Sequence, residues 1–305
     1  MGKVAGLRVN DRQLFVCSAI APMLAFYAVW LFFPIAYSFL MSVYDWNPLL
    51  PPAQQQFVGL RNYAEALKDP IFWITVRNTL YFAVLNVPLS TTFALCLAVL
   101  INSVRFGAAV WRTLYFTPVV TSMVAASILW SWVYQPQFGL LNNLARAINE
   151  ILGTRLPTQT RWLTDSSLAM PSVVLFSTWK NLGYPMVIFL AGLQSIPGVF
   201  YEAAKVDGAS RWHLFRHVTL PLLQPTVLFV LVTGIIGALQ VFTQVFIMTR
   251  GGPGNSTRVM VYYLYEKAFS AYRFGYASTV AVVLFLIVLS LTLVQLRLMR
   301  VRWEY

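Results

Sequence analysis

The sequence predicts an all-α polytopic membrane protein with six transmembrane helices and a cytoplasmic helix–turn–helix loop. Of its 305 residues, 58% are hydrophobic and 10% are charged, whereas a soluble domain carries roughly 25% charged residues. The apolar residues form runs long enough to cross a bilayer, which takes about 20 residues of helix. Aromatic residues make up 15% of the chain, which excludes a disordered protein. We expect a single membrane domain over residues 1–305.

Six charge-poor runs mark the predicted transmembrane helices. The first run is far longer than the apolar segment of a secretory signal, so we expect it to be retained as a helix. Lys180 interrupts the fourth run, and Pro88 predicts a kink in the second. The predicted helices cover residues of about 14–42, 78–104, 113–134, 168–196, 220–248 and 274–296.

The predicted outer loops contain local structure of their own. In the first loop, Asn62 is a candidate cap for a short helix that continues to Leu67. In the second, residues 140–152 have apolar side chains at helical spacing, which predicts an amphipathic helix at the membrane interface. The third contains GGPGNST, starting at Gly251, which predicts a glycine-rich turn.

The distribution of lysine and arginine predicts the orientation. Six spans place both termini on one side, and with the termini inside, the inner segments hold eleven of these residues and the outer segments ten. The inner segments are shorter, and short loops near helix ends determine orientation. We therefore expect cytoplasmic termini. The net charge of +12 fits this membrane pattern, and we expect no nucleic-acid partner.

The residue pattern offers no catalytic or metal site. Cys17 and Cys96 each lie in an apolar run and are expected to be small buried apolar side chains. His213 and His217 are four residues apart, but no acidic or cysteine partner stands near them, so we expect them to be solvated or to face a partner. GGPGNST lacks the lysine of a phosphate-binding loop. No Asp or Glu lies in a predicted span, which disfavours an ion-coupled secondary transporter.

Residues 197–219, between the fourth and fifth predicted spans, predict two short helices. Gly208 can adopt the left-handed conformation that often follows a helix, and Ser210 is a suitable N-cap for a second helix over 211–218. Pro221 stands where the fifth span starts. Because a loop in a helical bundle needs only 2–8 residues, this longer ordered loop indicates a docking element.

The same loop resembles the EAA loop of binding-protein-dependent ABC importer permeases. That pattern is EAA, three residues, Gly, nine residues, Ile, any residue, Leu and Pro. The departure from it is Val218, which keeps a β-branched apolar side chain in place of Ile. The resemblance implies that the loop fits a cleft on an ATPase subunit and couples ATP-driven closure to the membrane helices. The residues expected to carry this coupling are Glu202, Ala203, Ala204, Asp207, Gly208, Leu220 and Pro221.

Three further stretches resemble carbohydrate permeases of the maltose and glycerol-3-phosphate type. Such importers have two permease subunits, and the stretches resemble the first of them. The three stretches are FVGLRNYAEALKDPIFWITVRNTLYF from Phe57, TWKNLGYPMVIFLAGLQSIP from Thr178 and MTRGGPGNSTRVMVYYLYEKAF from Met248. The resemblance implies import of a sugar or oligosaccharide across a prokaryotic inner membrane. An ABC permease for another solute, such as an amino acid or a phosphate ester, remains the alternative.

The resemblance also implies the composition of the complex. We expect a second, different permease subunit, two ATPase subunits that bind ATP and Mg²⁺, an external solute-binding protein, a carbohydrate substrate and surrounding membrane lipid. The chain itself is expected to hold no cofactor and to catalyse no reaction.

Polar and aromatic residues within the spans are candidates for the substrate path, since amides can hydrogen-bond sugar hydroxyls and rings can stack on a sugar. The alternative is that they join helices to each other. Lys180 could pair with an acid of a partner subunit or meet an anionic group of the substrate. In the second span, Asn86, Ser90, Thr91 and Thr92 are expected to be packing residues. The path candidates are Trp179, Lys180, Asn181, Tyr184, Gln240, Thr243 and Gln244.

Overall fold

The structure is a computed structural model that describes residues 9–104 and 107–298. The orientation prediction rests in part on five basic residues that lie outside this range, so it stays a prediction. These residues are Lys3, Arg8, Arg105, Arg300 and Arg302.

The described chain is mostly helical. Its short antiparallel strand pair consists of β1 (Tyr44–Asp45) and β2 (Gln56–Phe57), with a 3-10 turn, Pro52–Gln54, between them, and π-helical turns occupy Ala28–Phe32, Phe215–Thr219 and Glu266–Ser270. The helices are α1 (Val9–Tyr27), α2 (Phe33–Ser42), α3 (Arg61–Lys68), α4 (Pro70–Ser103), α5 (Ala108–Val120), α6 (Met123–Val133), α7 (Leu140–Leu152), α8 (Ala169–Asn181), α9 (Gly183–Ser195), α10 (Gly198–Val206), α11 (Arg211–Leu214), α12 (Leu220–Leu222), α13 (Gln224–Leu239), α14 (Thr243–Met248), α15 (Met260–Tyr265) and α16 (Phe274–Leu298).

The described helices supply four to six membrane spans. Four segments are long and apolar enough to cross a bilayer alone, namely Gln13–Ser42, Pro70–Ser103, Gln224–Met248 and Phe274–Leu298. Two bent pairs supply the others if each pair counts as one span: α5 and α6 meet at 97°, and α8 and α9 at 48°. The predicted all-α membrane fold is thereby confirmed.

The predicted spans differ from the observed helices at two kinds of position. The second span begins at Pro70 rather than at residue 78, because the Asp69 side chain accepts a hydrogen bond from the Ile71 N–H at 2.8 Å and proline is favoured in the first helical turn. The helix continues through Pro88. The third, fourth and fifth spans are each interrupted, at 121–122, at Leu182 and at 240–242.

The chain divides into two compact units, and the prediction of one domain over residues 1–305 stays a prediction. Among the described residues, the first unit joins residues 9–66 with Glu266–Val282. In this unit Asn62 is buried, and its Nδ2 donates to the carbonyl oxygens of Ser42 (3.0 Å) and Tyr44 (2.8 Å). Asn62 therefore lies inside α3 and ties it to β1, so its predicted role as the helix cap is wrong.

An ion pair also joins the two sequence segments of the first unit. The guanidinium of Arg273 donates to both carboxylate oxygens of Glu65, at 2.6 and 2.7 Å, and the Arg273 guanidinium lies 5.0 Å from the ring centre of Tyr276. This hydrogen bond holds the pKa of Glu65 below its ordinary value, against the opposing effect of burial. The side chains are 38% and 43% exposed, so solvent screens much of the interaction.

The Glu65 carboxylate gives the first unit a stability that depends on pH. Because the folded pKa is lowered, its contribution is present above the ordinary pKa of 4.5 and is lost as the pH falls through the folded value. We expect Glu65→Gln to lower the free energy of unfolding by less than about 1 kcal/mol at neutral pH. Thermal unfolding in detergent should show a difference from the unmodified chain at pH 7 that disappears in strong acid.

The matched control for this prediction is Glu150→Gln, which removes an exposed carboxylate in α7. It should leave the melting temperature unchanged at both pH values. A difference for Glu65→Gln that persisted in strong acid would show that the charge of Glu65 is not the cause.

The second unit contains the described residues 67–104, 107–265 and 283–298. Its core forms where α4, α9 and α13 pack together, and the small side chains of Ala94 and Ala98 are fully buried against Met186 and Phe189. Small residues let helix backbones approach closely in a membrane protein. At Gly192 of α9, an added Cβ would lie 2.6 Å from Thr226 Oγ1 of α13, so these two helices are in direct contact.

The glycine-rich turn in the second unit has the predicted character. Gly251 and Gly254 have φ values of +78° and +53°. Asn78 of α4 donates from Nδ2 to the carbonyl oxygens of Asn255 (2.7 Å) and Arg258 (3.0 Å). The turn is thus fastened to the start of α4. The predicted amphipathic helix over residues 140–152 is α7.

Candidate functional site

A cavity of about 510 Å³ lies in the second unit between α4, α8, α9, α13, α14 and the corner of α5 and α6. This volume lies within the range of small-molecule sites, about 300–1,000 Å³. The described residues that line it include amides, hydroxyls and apolar groups but no charged side chain. The polar lining residues are Asn86, Ser90, Thr91, Ser177, Asn181, Tyr184, Thr233, Gln240, Thr243 and Gln244.

The cavity wall contains three interruptions of the membrane spans. Val119 and Met123 flank the corner between α5 and α6, Asn181 and Tyr184 flank the break at Leu182, and the non-helical residues 240–242 also line the cavity. Non-helical backbone at membrane depth must be buried in protein or line an aqueous cavity. The breaks therefore lie where the cavity or packed protein can satisfy their backbone groups.

Five of the seven predicted path residues meet in this cavity. Asn181 and Tyr184 come from the α8–α9 break, and Gln240, Thr243 and Gln244 come from the segment around the α13–α14 break. Their surroundings differ. Gln244 is buried and donates from Nε2 to Ser177 Oγ at 3.2 Å, whereas Gln240 is exposed.

The other two predicted path residues, Trp179 and Lys180, are not among the residues that line the cavity. The cavity face of this segment contains Ser177, Asn181 and Tyr184, spaced by four and three residues as on one helix face. Trp179 lies off this face, and its ring packs 5.0 Å from that of Trp130. Lys180 is 3% exposed, and its Nζ donates to the Val119 carbonyl oxygen at 3.2 Å.

Three residues of α4 that were predicted to be packing residues also line the cavity: Asn86, Ser90 and Thr91. Asn86 Nδ2 donates to Thr178 Oγ1 at 3.1 Å, so it joins helices and borders the cavity at once. The sequence signal was the spacing of Asn86 and Ser90, which places two polar groups on one helix face.

The predicted helix–turn–helix loop, residues 197–219, consists of α10, a turn, α11 and the π-helical turn Phe215–Thr219. Gly208 has φ +79°, and Ser210 Oγ accepts from the His213 N–H at 3.4 Å. The turn and the cap are as predicted, but the second helix ends at Leu214 as an α-helix and continues with π geometry. Tyr201 and Thr219 share a hydrogen bond of 3.1 Å that joins the two arms of the loop.

The loop exposes most of the residues expected to couple it to a partner. Glu202, Ala203, Asp207, Gly208, Leu220 and Pro221 are exposed, and Ala204 is half-buried. Two larger apolar side chains stand beside them, Val206 at 88% and Trp212 at 63% exposure. Apolar groups exposed together with a carboxylate form a surface suited to contact with another protein.

The cysteines and histidines give no further site. Cys17 and Cys96 are exposed, so the prediction that they are buried is wrong. The rings of His213 and His217 stack with centres 5.4 Å apart. Among the described residues, no group of three or more His, Cys, Asp or Glu side chains is placed to hold a metal ion.

The apolar spans, the cavity with polar groups beside the helix breaks and the exposed loop are the features of a membrane permease. Residues 70–301 match the model of the family described as "Binding-protein-dependent transport system inner membrane component". The chain belongs to this family, and it is therefore an integral membrane component of an ABC transport system.

Several relatives cover nearly the whole chain. The lactose transport system permease protein LacF of Rhizobium radiobacter is 37% identical, and the alignment covers 90% of this chain and 91% of LacF. The trehalose/maltose transport system permease protein MalF of Thermococcus litoralis is 32% identical, and the alignment covers 93% of this chain and 92% of MalF. A solved bacterial alginate ABC transporter, in complex with an alginate pentasaccharide-bound periplasmic protein, has a chain with a TM-score of 0.81, 22% identity and 95% coverage of both. This last likeness shows a shared fold.

The turn at Gly208 offers a test of the loop geometry. No atom lies within 4 Å of an added Cβ at Gly208 or at Gly198, so only the backbone conformation distinguishes them. We expect Gly208→Ala to destabilise the loop by about 1–2 kcal/mol, because its φ is left-handed. Hydrogen exchange of residues 198–219 should be faster in this variant.

Gly198→Ala is the matched control, since Gly198 begins α10 with ordinary helical backbone. Alanine favours helix over glycine by up to about 1 kcal/mol, so exchange in α10 should slow or stay the same. Equal exchange in the two variants would contradict the assigned turn.

Proposed function

We propose that this chain is one permease subunit of an ATP-driven importer that passes a sugar or oligosaccharide across the membrane. The observation that carries the proposal is the cavity, whose described wall combines apolar residues with ten polar residues and has no charged side chain. Amides and hydroxyls can both donate to and accept from sugar hydroxyls, and the ring of Tyr184 offers a face for the sugar ring. The relatives named for lactose and for trehalose/maltose support the same substrate class.

The proposed mechanism is alternating access. Closure of the ATPase subunits moves the loop, and the helices that continue from it rock the cavity from inward-open to outward-open. Such a cycle requires each partner to bind the two states with different affinity. In this scheme Glu202 forms a charged contact with a basic group of the ATPase, and Gly208 holds the bend between the two arms of the loop.

The proposed complex contains a second permease, two ATPase subunits that hold ATP and Mg²⁺, and an external solute-binding protein. The description of the family as binding-protein-dependent supports the last of these. The exposed Val206 and Trp212 support a partner on the loop. In the span Gln13–Ser42 the most apolar window contains no buried residue, which suits contact with lipid or with a second permease. We place the complex in a prokaryotic inner membrane with cytoplasmic termini.

The first experiment measures ATP hydrolysis by the complete complex in nanodiscs, with and without a loaded binding protein. Stimulation by a sugar-loaded binding protein is the expected result. Stimulation by an amino acid or a phosphate ester instead, with none by any sugar, would keep the ABC permease and overturn the sugar assignment.

The loop predicts a charge-reversal effect. We expect Glu202→Lys to abolish sugar-stimulated ATP hydrolysis while the variant still folds and inserts, because like charges would face each other at the ATPase contact. The readouts are stimulated hydrolysis and the melting temperature of the purified chain. Glu150→Lys reverses an exposed charge on α7, outside the loop, and serves as the control. Normal transport by Glu202→Lys would refute the coupling role.

The cavity predicts a difference between two adjacent threonines. Thr91 lines the cavity, whereas Thr92 is exposed elsewhere on α4. Replacing a hydroxyl with a methyl group of similar size removes one hydrogen bond to the sugar. We expect Thr91→Val and Gln240→Leu to slow sugar transport about threefold to tenfold, and Thr92→Val to leave it unchanged. Transport of radiolabelled sugar into proteoliposomes measures all three, and equal rates for Thr91→Val and Thr92→Val would contradict the assigned path.

A further inference from the structure

Lys180 is a charged side chain that the proposed substrate path leaves without a role. It lies in α8, within a membrane span, and is 3% exposed. A lysine at such a position is energetically costly, and ionisable residues inside a membrane are therefore usually kept for function. In the described part of the chain no acidic side chain forms an ion pair with Lys180.

The contact that Lys180 does make is with the end of another helix. Its Nζ donates to the carbonyl oxygen of Val119 at 3.2 Å, and Val119 lies in the last turn of α5, which ends at Val120. The last four carbonyls of a helix have no partner within the helix, and this end carries a partial negative charge. An ammonium group suits both features of the position.

The same end of α5 forms part of the cavity wall. Beyond Val120 the chain turns by 97° into α6, and Val119 and Met123, on either side of this corner, both line the cavity. Gly183 supplies a second contact to α5, because an added Cβ there would lie 2.4 Å from the Tyr115 carbonyl oxygen. The end of α5 is therefore contacted at Val119 by Lys180 and at Tyr115 by Gly183.

We propose that Lys180 is a positioning residue: its ammonium group caps the C-terminal end of α5 and holds the Val119–Met123 corner in the cavity wall. This role replaces the two expected from the sequence, an acid of a partner subunit and an anionic group of the substrate. The consequence for transport rests on the proposed function, whereas the position of the corner does not.

The test measures the reactivity of a cysteine at the corner. Met123→Cys is introduced into a full-length chain in which Cys17 and Cys96 are replaced by serine, and a hydrophilic thiol reagent is applied to the assembled complex in nanodiscs without sugar. Thr233→Cys, on the α13 side of the cavity, is the reference reporter. Each reporter is combined with Lys180, Lys180→Met, Lys180→Gln and the control Lys68→Met, which alters an exposed lysine.

We expect Lys180→Met and Lys180→Gln to raise the labelling rate at position 123 by about tenfold, the scale of a buried charge at a helix end, and to leave position 233 within about twofold. Lys68→Met should change neither rate. Lys180→Gln keeps a donor and most of the length, so it serves where Lys180→Met does not insert. Sugar transport should fall together with the increase at position 123.

Four results would overturn the proposal. Unchanged labelling at position 123 would remove the positioning role, and an equal rise at both reporters would indicate a general loss of structure. A change in labelling that appeared only with sugar present would show that Lys180 contacts the substrate. Dissociation of the second permease from the Lys180 variants would show that the partner of Lys180 lies in that subunit. If the unmodified complex ignored every sugar, the proposed function would fail while the labelling result still decided the role of Lys180.

Discussion

The need to satisfy backbone hydrogen bonds inside a membrane governs the architecture of the second unit. An unbroken helix pairs its own N–H and C=O groups, so each interruption of a span leaves groups that need protein or water. Three interruptions, at 121–122, at Leu182 and at 240–242, have neighbours on the wall of one cavity. The unpaired backbone groups at these breaks therefore lie beside the cavity. The polar side chains of the cavity wall lie in the same region.

Side chains of neighbouring helices hold these interruptions in place. Gly183 lets α9 begin against the backbone of α5, at Tyr115. Thr178 accepts from Asn86, which ties α8 to α4 just before the break at Leu182. Gln244 donates to Ser177 just after the third interruption. The wall is therefore built by contacts between helices, and a change in the distance between two helices alters its polar surface.

This dependence explains which features could be predicted from the sequence. The spans follow from charge-poor runs, and the turn at Gly208 and the cap at Ser210 follow from local backbone chemistry. The breaks depend on groups distant in sequence, so the sequence predicts unbroken helices over 113–134, 168–196 and 220–248. The same limit applies to Trp179, which shares a run with cavity residues but faces Trp130. It also applies to Asn62, whose hydrogen-bond partners lie 18 and 20 residues earlier in the chain.

The loop and the cavity are connected by the two helices that leave the loop. Before the loop lies α9, whose first turn contains the cavity residue Tyr184. After the loop come the short α12 and then α13, whose 16 residues extend about 24 Å to Gln240. The two helices touch at Gly192 and Thr226, and the Tyr201–Thr219 hydrogen bond joins their ends of the loop. Both helices carry cavity residues at their ends away from the loop. In the proposed mechanism, a partner bound to the loop would act on the cavity wall through these two helices.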